Sequence, residues 1–286
     1  HRDKGQGKGM IYGRYLFTSV LEDDAVLPPY KGSTFRGVFG HALKKVVCAL
    51  KRQNCAGCLL HSRCVYALVF EPSCMEPASG RRRLAAPPHP YVLEPEMESR
   101  THYEKGETFR FSLLLFGRMN ESLPYFVYAI DRMGQMGIGK SISGKRPAFK
   151  LLQVTTPDDR VVYDGGTGKL QPPQSERHLE LEDFRRSSDE STESITLSLE
   201  TPLRLKYQNH LKAEIPFHVL VRAILRRVSS LFNYHGKGEP PLDYRGLVKK
   251  AESVSIEDSA LRWFDWKRYS NRQDQAMFMG GMTGSI

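Results

Sequence analysis

The sequence predicts an α+β fold made twice over, and three observations predict it. An order of strand, helix, strand, helix, glycine-rich turn and strand runs through the first half and returns in the second. Within those stretches apolar residues either alternate or recur at helical spacing. Between the halves, from about Thr155 to Ser194, come PDD, GGTG, PPQ and the charged tract RRSSDESTES, which is linker or hairpin material. The expected organisation is a first domain over 1–155, a linker over 156–194 and a second domain over 195–286. Each domain is expected to be a sandwich of the ferredoxin-like type.

The elements follow in order. Met10 to Leu21 is aromatic and β-branched with few breakers, so it reads as a strand. Phe35, Val38, Phe39, Ala42, Leu43, Val46, Val47 and Leu50 form one apolar stripe of a helix, which Ser33 or Thr34 can cap. Phe109, Phe111, Leu113 and Leu115 alternate with Arg110 and Ser112 as a strand. Asn120 is placed to cap a helix carrying Leu123, Phe126, Val127, Ile130 and Met133. The glycine-rich, basic run GQMGIGKSISGKR follows, and FKLLQV returns as a strand. After the linker, ITLSLETPLRLK reads as a strand. Pro216 to Phe232 reads as a helix with Arg222, Arg226 and Arg227 on its polar face. YRGLVKKAESV is a further helix, and LRWFDWKRYS and AMFMGGMTGSI close the second half as strands.

Composition narrows the function classes. At 286 residues, 40% of them hydrophobic, the chain can bury two modest cores. No apolar run approaches the roughly 18 residues of a membrane span and no signal peptide is visible, so a cytoplasmic protein with no membrane partner is expected. The formal net charge of +10 favours a polyanion such as nucleic acid. The chain opens on His1 and stops at Ile286 inside a glycine-rich apolar run, so both ends read as truncated.

All five cysteines lie between Cys48 and Cys74. Cys48, Cys55, Cys58 and Cys64 are spaced C-x6-C-x2-C-x5-C, with Cys74 as a spare. Thiols that close, with only two residues between the middle pair, can converge on one ion. A structural zinc ion is the first expectation. The same spacing occurs in the 4Fe–4S loop of endonuclease III-type DNA glycosylases, so a cluster stays open. The ordinary alternative is a set of small buried hydrophobes. His61 lies within the loop and can substitute as a ligand.

Several segments together resemble the CRISPR-associated precursor-crRNA-processing endoribonucleases of the RAMP (repeat-associated mysterious protein) superfamily. They are LPPYKGSTFRGVFGHALKK, CVYALVFEP after the cysteines, FSLLLFGRMNESLPYFVYAIDRMGQMGIGK, TPLRLK, FHVLVRAILRRVSSLF and WFDWKRYSNRQDQAMFMGGMTG. The resemblance implies two tandem ferredoxin-like (RRM-like) folds, with the cysteine-rich metal-binding insertion in the first. It implies partners: CRISPR repeat RNA or crRNA, other CRISPR effector subunits, and a second copy of the chain as a homodimer. It also implies endoribonuclease chemistry without a catalytic metal, leaving a 2′,3′-cyclic phosphate and a 5′-hydroxyl. The family's final glycine-rich loop and closing strand are expected after Gly284, where this chain ends.

That chemistry needs a base for the 2′-hydroxyl, a cation for the phosphorane and an acid for the departing oxygen. On the first helix the apolar stripe leaves His41, Lys44 and Lys45 on the other side, at i, i+3 and i+4. Tyr30 precedes the helix on the PPY turn, and family members use histidine, lysine and tyrosine near this helix. The expected catalytic set is therefore His41, Tyr30, Lys44 and Lys45, with His235 in NYHGKGE as a second histidine. The ordinary alternative is a solvated surface histidine between two solvated lysines. His1, His89, His102, His178, His210 and His218 have no constellation around them. Expected RNA contacts are Lys31 and Arg36 at the helix start and Lys140, Lys145 and Arg146 in the glycine-rich turn. Arg222, Arg226 and Arg227 join them, as do Arg268 and Arg272 near Trp266 and Tyr269; for Trp266 a core position is preferred. Two other functions compete. A non-catalytic RAMP subunit would hold guide RNA and be indifferent to loss of His41. A DNA-repair glycosylase is suggested by the cysteine spacing alone, without the helix-hairpin-helix that should precede its cluster.

Overall fold

The structure is a computed structural model. It describes residues 9–51, 54–72, 75, 77–78, 87–171, 177–179, 193–270 and 275–286, giving the backbone alone for 177–179, 268–270 and 275–277. Its elements are β1 (Met10–Leu21), β2 (Ala25–Val26), α1 (Gly32–Val47), α2 (Val65–Phe70), β3 (Tyr91–Pro95), β4 (His102–Tyr103), β5 (Thr108–Phe116), α3 (Leu123–Met136) and β6 (Phe149–Thr155). They continue with β7 (Val161–Asp164), β8 (Lys169–Leu170), β9 (Arg177–Leu179), β10 (Ser198–Leu203), α4 (Phe217–His235), α5 (Tyr244–Ala251), β11 (Arg262–Ser270) and β12 (Gln275–Ser285). No helix among the described residues is long and apolar enough to cross a membrane.

The chain divides into two compact units, His1–Glu180 with Ser230–Glu239, and Leu181–Ser229 with Pro240–Ile286. In the first, strands β3-β5-β1-β6-β7-β8 form one antiparallel sheet, and β9 also pairs with β1. The first four strands of that order, β3-β5-β1-β6, are the second, third, first and fourth of a βαββαβ chain, the ferredoxin-like arrangement. The alternation read in β5 is real: Phe109, Phe111, Leu113 and Leu115 are all buried. They meet Phe35 and Phe39 of α1 and Phe126 and Ile130 of α3 in a single core. Phe111 stacks on Phe17 at 5.1 Å between centroids and meets Phe35 edge-on at 5.3 Å.

Helix starts differ from expectation. Lys31, not Ser33 or Thr34, occupies the α1 cap without a side-chain cap bond, and Phe35 N bonds Lys31 O at 3.0 Å. Asn120 does not cap α3. Its amide donates to Leu115 O at 3.3 Å and Gly117 O at 2.9 Å, and α3 begins at Leu123 with Pro124 in its first turn. Part of the expected linker belongs to the first sheet, because β7 pairs with β6 and β8 with β7.

In the second unit β10-β12-β11 form an antiparallel sheet, and Ile215, Leu220 and Met282 make its core. The strand expected over residues 195–206 is pared to Ser198–Leu203. A tight turn follows, in which Tyr207 and His210 exchange backbone bonds and Gln208 and Asn209 take φ of 48° and 64°.

Candidate nucleic-acid interface

Helix α1 positions the expected catalytic residues, because its buried stripe of Phe35, Val38, Phe39, Ala42 and Leu43 turns the remaining side outward. His41 and Lys45 are exposed there, one turn apart. The other two expected members lie elsewhere. Lys44 Nζ sits 5.1 Å over the Tyr66 ring and engages the Cys55 thiol, so it belongs to the cysteine turns. The half-buried Tyr30 folds back on the helix start: a Cβ on Gly32 would meet its hydroxyl at 2.7 Å. Gly32 and His41 are nine residues apart, ~13 Å along an α-helix axis. Burial also pushes the Tyr30 hydroxyl pKa up. Tyr30 is not brought to His41.

Lys31 is a correction. It is 5% exposed, its ammonium donates to Glu98 O at 2.8 Å and Arg100 O at 3.0 Å, and it lies 5.5 Å over the Tyr103 ring. Burial pulls its pKa down, partly opposed by the Glu98 carboxylate. A cation closed in this way braces the segment before β4 and does not face RNA.

Arg36 is half-buried and faces α2. Its guanidinium lies 5.1 Å from the Phe70 ring centroid and 5.9 Å from that of Tyr91, and its Nη2 is 3.1 Å from His89 Nε2. His89 Nδ1 lies 2.7 Å from Val69 O, which can only accept. The proton therefore sits on Nδ1, the ring is neutral, and Nε2 accepts from Arg36. Nothing in the sequence placed His89 in a constellation, since its partners stand 20 and 53 residues away. His235 neighbours this cluster. It donates from Nε2 to Pro88 O at 2.9 Å, its ring stacks on Phe116 at 6.5 Å, and burial holds its pKa below the usual value. Its Nε2 is thus committed to structure.

The glycine-rich turn is exposed from Lys140 to Arg146. Gly137 and Gly139 take φ of 76° and 82°, and a Cβ on either would strike Arg146 O or Val26 O at 2.5 Å. Glycine there lets the loop dock on β2, where Lys140 N bonds Val26 O at 2.9 Å, and presents Lys140, Lys145 and Arg146 to solvent. Among the described residues, Lys145 alone of the three has a carboxylate near, Asp23 at 3.8 Å. On α4, Arg222, Arg226 and Arg227 are exposed, and none has an acidic partner among the described residues. Trp266 is half-buried and stacks on Phe264 of the same strand at 6.0 Å, with Lys267 exposed beside it. Cys74 and Arg272, like the side chain of Arg268, lie outside the described residues.

Cys48, Cys55, Cys58 and Cys64 are free thiols, all half-buried; Cys48 caps the end of α1, and the other three lie on or at the ends of two short turns that lead to α2. Cys58 N bonds Cys55 O at 3.1 Å, the tight turn that a two-residue spacing allows. Burial raises the Cys55 thiol pKa, Glu71 adds to it, and Lys44 opposes. His61 Nε2 stands 3.8 Å from Glu71 Oε2. The donor chemistry suits zinc. Even so, no three His, Cys, Asp or Glu among the described residues are grouped to hold an ion.

With this geometry in place, comparison with known proteins places the fold. The family model AF_1859_N, N-terminal domain, matches residues 10–175, more than half of the chain. An uncharacterised protein of Archaeoglobus fulgidus is 25% identical over 275 residues, covering 90% of this chain and 79% of its own. Among solved structures, a chain of a partial Cas6-RT-Cas1–Cas2 complex superposes with a TM-score of 0.54 at 10% identity. The match covers 98% of this chain and 40% of that longer one, a likeness of fold. A Cas6 product complex gives a TM-score of 0.48 at 16% identity, covering 96% of this chain and 83% of its own.

Proposed function

The chain belongs to the AF_1859_N family, and from that premise we propose that it is a CRISPR-associated RAMP-type protein that binds CRISPR repeat RNA and cuts it. Both units are read as tandem ferredoxin-like folds; the strand orders support this, as does the fold likeness to the Cas6-bearing chain. The observation that carries RNA binding is the set of exposed cations without counter-charge among the described residues. These are Arg222, Arg226 and Arg227 on α4 and Lys140 and Arg146 in the glycine-rich turn. RNA phosphates supply that counter-charge and release bound counterions as they do so.

Cutting is assigned to His41. Its exposed imidazole takes the proton of a 2′-hydroxyl, the 2′-oxygen bonds to phosphorus as the bond to the 5′-oxygen breaks, and Lys45 one turn on steadies the phosphorane; solvent water protonates the departing oxygen, so the products carry a 2′,3′-cyclic phosphate and a 5′-hydroxyl. The cysteine segment is read as a structural zinc site, with a 4Fe–4S cluster as the alternative; four free thiols within the short segment between α1 and α2 support this. Partners are crRNA, other effector subunits and a second copy of the chain.

One observation favours a second reading, a non-catalytic RAMP subunit holding guide RNA: Tyr30 packs at the start of α1 and Lys44 is engaged by Tyr66 and the Cys55 thiol. Incubating the protein with labelled repeat RNA in excess chelator separates the two. Catalysis predicts cleavage that His41→Ala slows by ~100-fold or more while binding changes little. Wild-type protein that binds the RNA and leaves it whole establishes the second reading.

A further inference from the structure

Arg36 is a cation of the first unit whose surroundings supply no anion among the described residues. It is half-buried between two aromatic faces, and it hydrogen-bonds a neutral imidazole nitrogen, His89 Nε2. No carboxylate among the described residues pairs with it, and the acid at the end of α2, Glu71, stands by His61 at 3.8 Å. A guanidinium partly removed from water and left without counter-charge is costly. The hydroxyl of Tyr91, whose ring faces the same guanidinium, is buried without a hydrogen-bond partner among the described residues. Two poorly satisfied groups thus share one place.

The support behind Arg36 is built, not incidental. His235 Nε2 holds Pro88 O at 2.9 Å, which fixes the chain next to His89. Val69 O fixes the His89 tautomer at 2.7 Å, and Nε2 then receives one N–H of Arg36 at 3.1 Å. The Tyr91 ring meets that of His89 edge-on at 6.1 Å. Arginine carries five N–H donors in a rigid fork, and one is engaged by His89. The others suit the paired oxygens of a phosphodiester.

We propose that Arg36, oriented by His89, binds one backbone phosphate of the RNA, and that His89 is a positioning residue for it. This rests on the RNA-binding reading above. Arg36 lies five positions before His41, and five steps of an α-helix place residues on different sides, ~7.5 Å apart along the axis.

The test is equilibrium binding of labelled CRISPR repeat RNA from the chain's own genome across a salt series. Arg36→Gln should bind about tenfold more weakly, with a slope of log affinity against log salt shallower by ~0.7, one phosphate of a single strand. His89→Phe keeps the ring and loses both nitrogens, so affinity should fall several-fold. His89→Gln restores one donor and one acceptor and should recover to within about twofold. In the Arg36→Gln background, His89→Phe should add no further loss, since its effect passes through Arg36. Arg36→Lys keeps the charge and loses the fork, so affinity should drop at an unchanged slope even if Arg36→Gln fails to fold. Additive losses in the double variant, or a glutamine no better than phenylalanine at position 89, would overturn the proposal. Wild-type and Arg36→Gln proteins that bind the RNA equally, with the same salt slope, remove this inference alone; wild-type protein that binds no RNA removes the parent reading with it.

Discussion

Lys31→Met separates a structural lysine from an RNA-binding one. The wild-type ammonium is 5% exposed, donates to two backbone carbonyls at 2.8 and 3.0 Å and lies over the Tyr103 ring at 5.5 Å. Methionine keeps most of the stem's packing and removes both bonds, leaving Glu98 O and Arg100 O without that partner. Charged hydrogen bonds contribute ~1.5–3 kcal/mol each. Part of that is offset here, because burying the ammonium carries its own desolvation cost, so a net loss of ~2–4 kcal/mol is expected. In a unit of this size each kcal/mol moves the midpoint by about 2–4 °C, so the Tm should fall by roughly 4–16 °C. The assay is thermal unfolding by near-ultraviolet circular dichroism, paired with RNA binding over a salt series. Lys31→Gln, able to donate to one carbonyl, should fall between. A Lys31→Met protein as stable as wild type, with a shallower salt slope, would refute the inward role and return Lys31 to the RNA-binding surface.

Other outcomes follow from the same geometry. Replacing Arg222, Arg226 and Arg227 together with glutamine should flatten the salt dependence of RNA binding by roughly 2–3 in slope while leaving the Tm within a degree or so, because all three are exposed; an unchanged slope would place the RNA elsewhere. Burial holds the His235 pKa below its ordinary 6.5, so its stabilising contribution is complete above pH 6.5 and is lost as pH falls through the lower folded value. The Tm difference between wild type and His235→Gln should therefore narrow on acidification, and a difference that widens would reverse the assignment. Metal analysis should return about one zinc per chain, or about four irons with a brown chromophore, and Cys58→Ser should lose it. Metal-free protein with four titratable thiols would make the cysteines ordinary packing residues.

The elements written into local spacing were legible in the sequence. The stripe from Phe35 to Val47 made α1 readable, and strict alternation from Phe109 to Leu115 made β5 readable, because burial on one side imposes a period on adjacent residues. The outward positions of His41 and Lys45 followed from the same periodicity, as did the exposed arginines of α4. Strand β3 was not legible: YVLEP is short and ends in a glutamate and a proline, and its pairing with β5 makes it a strand. Helix α2 is six residues long, too few to show a helical period. What the tertiary structure alone decided is where the cations go. Lys31 and Arg36 stand in the same basic segment, yet one is closed over carbonyls 67 and 69 residues away and the other is bonded to a histidine 53 residues away. A charged side chain's role depends on which distant polar atoms the fold brings within about 3 Å, and distances across the chain leave no period in the sequence.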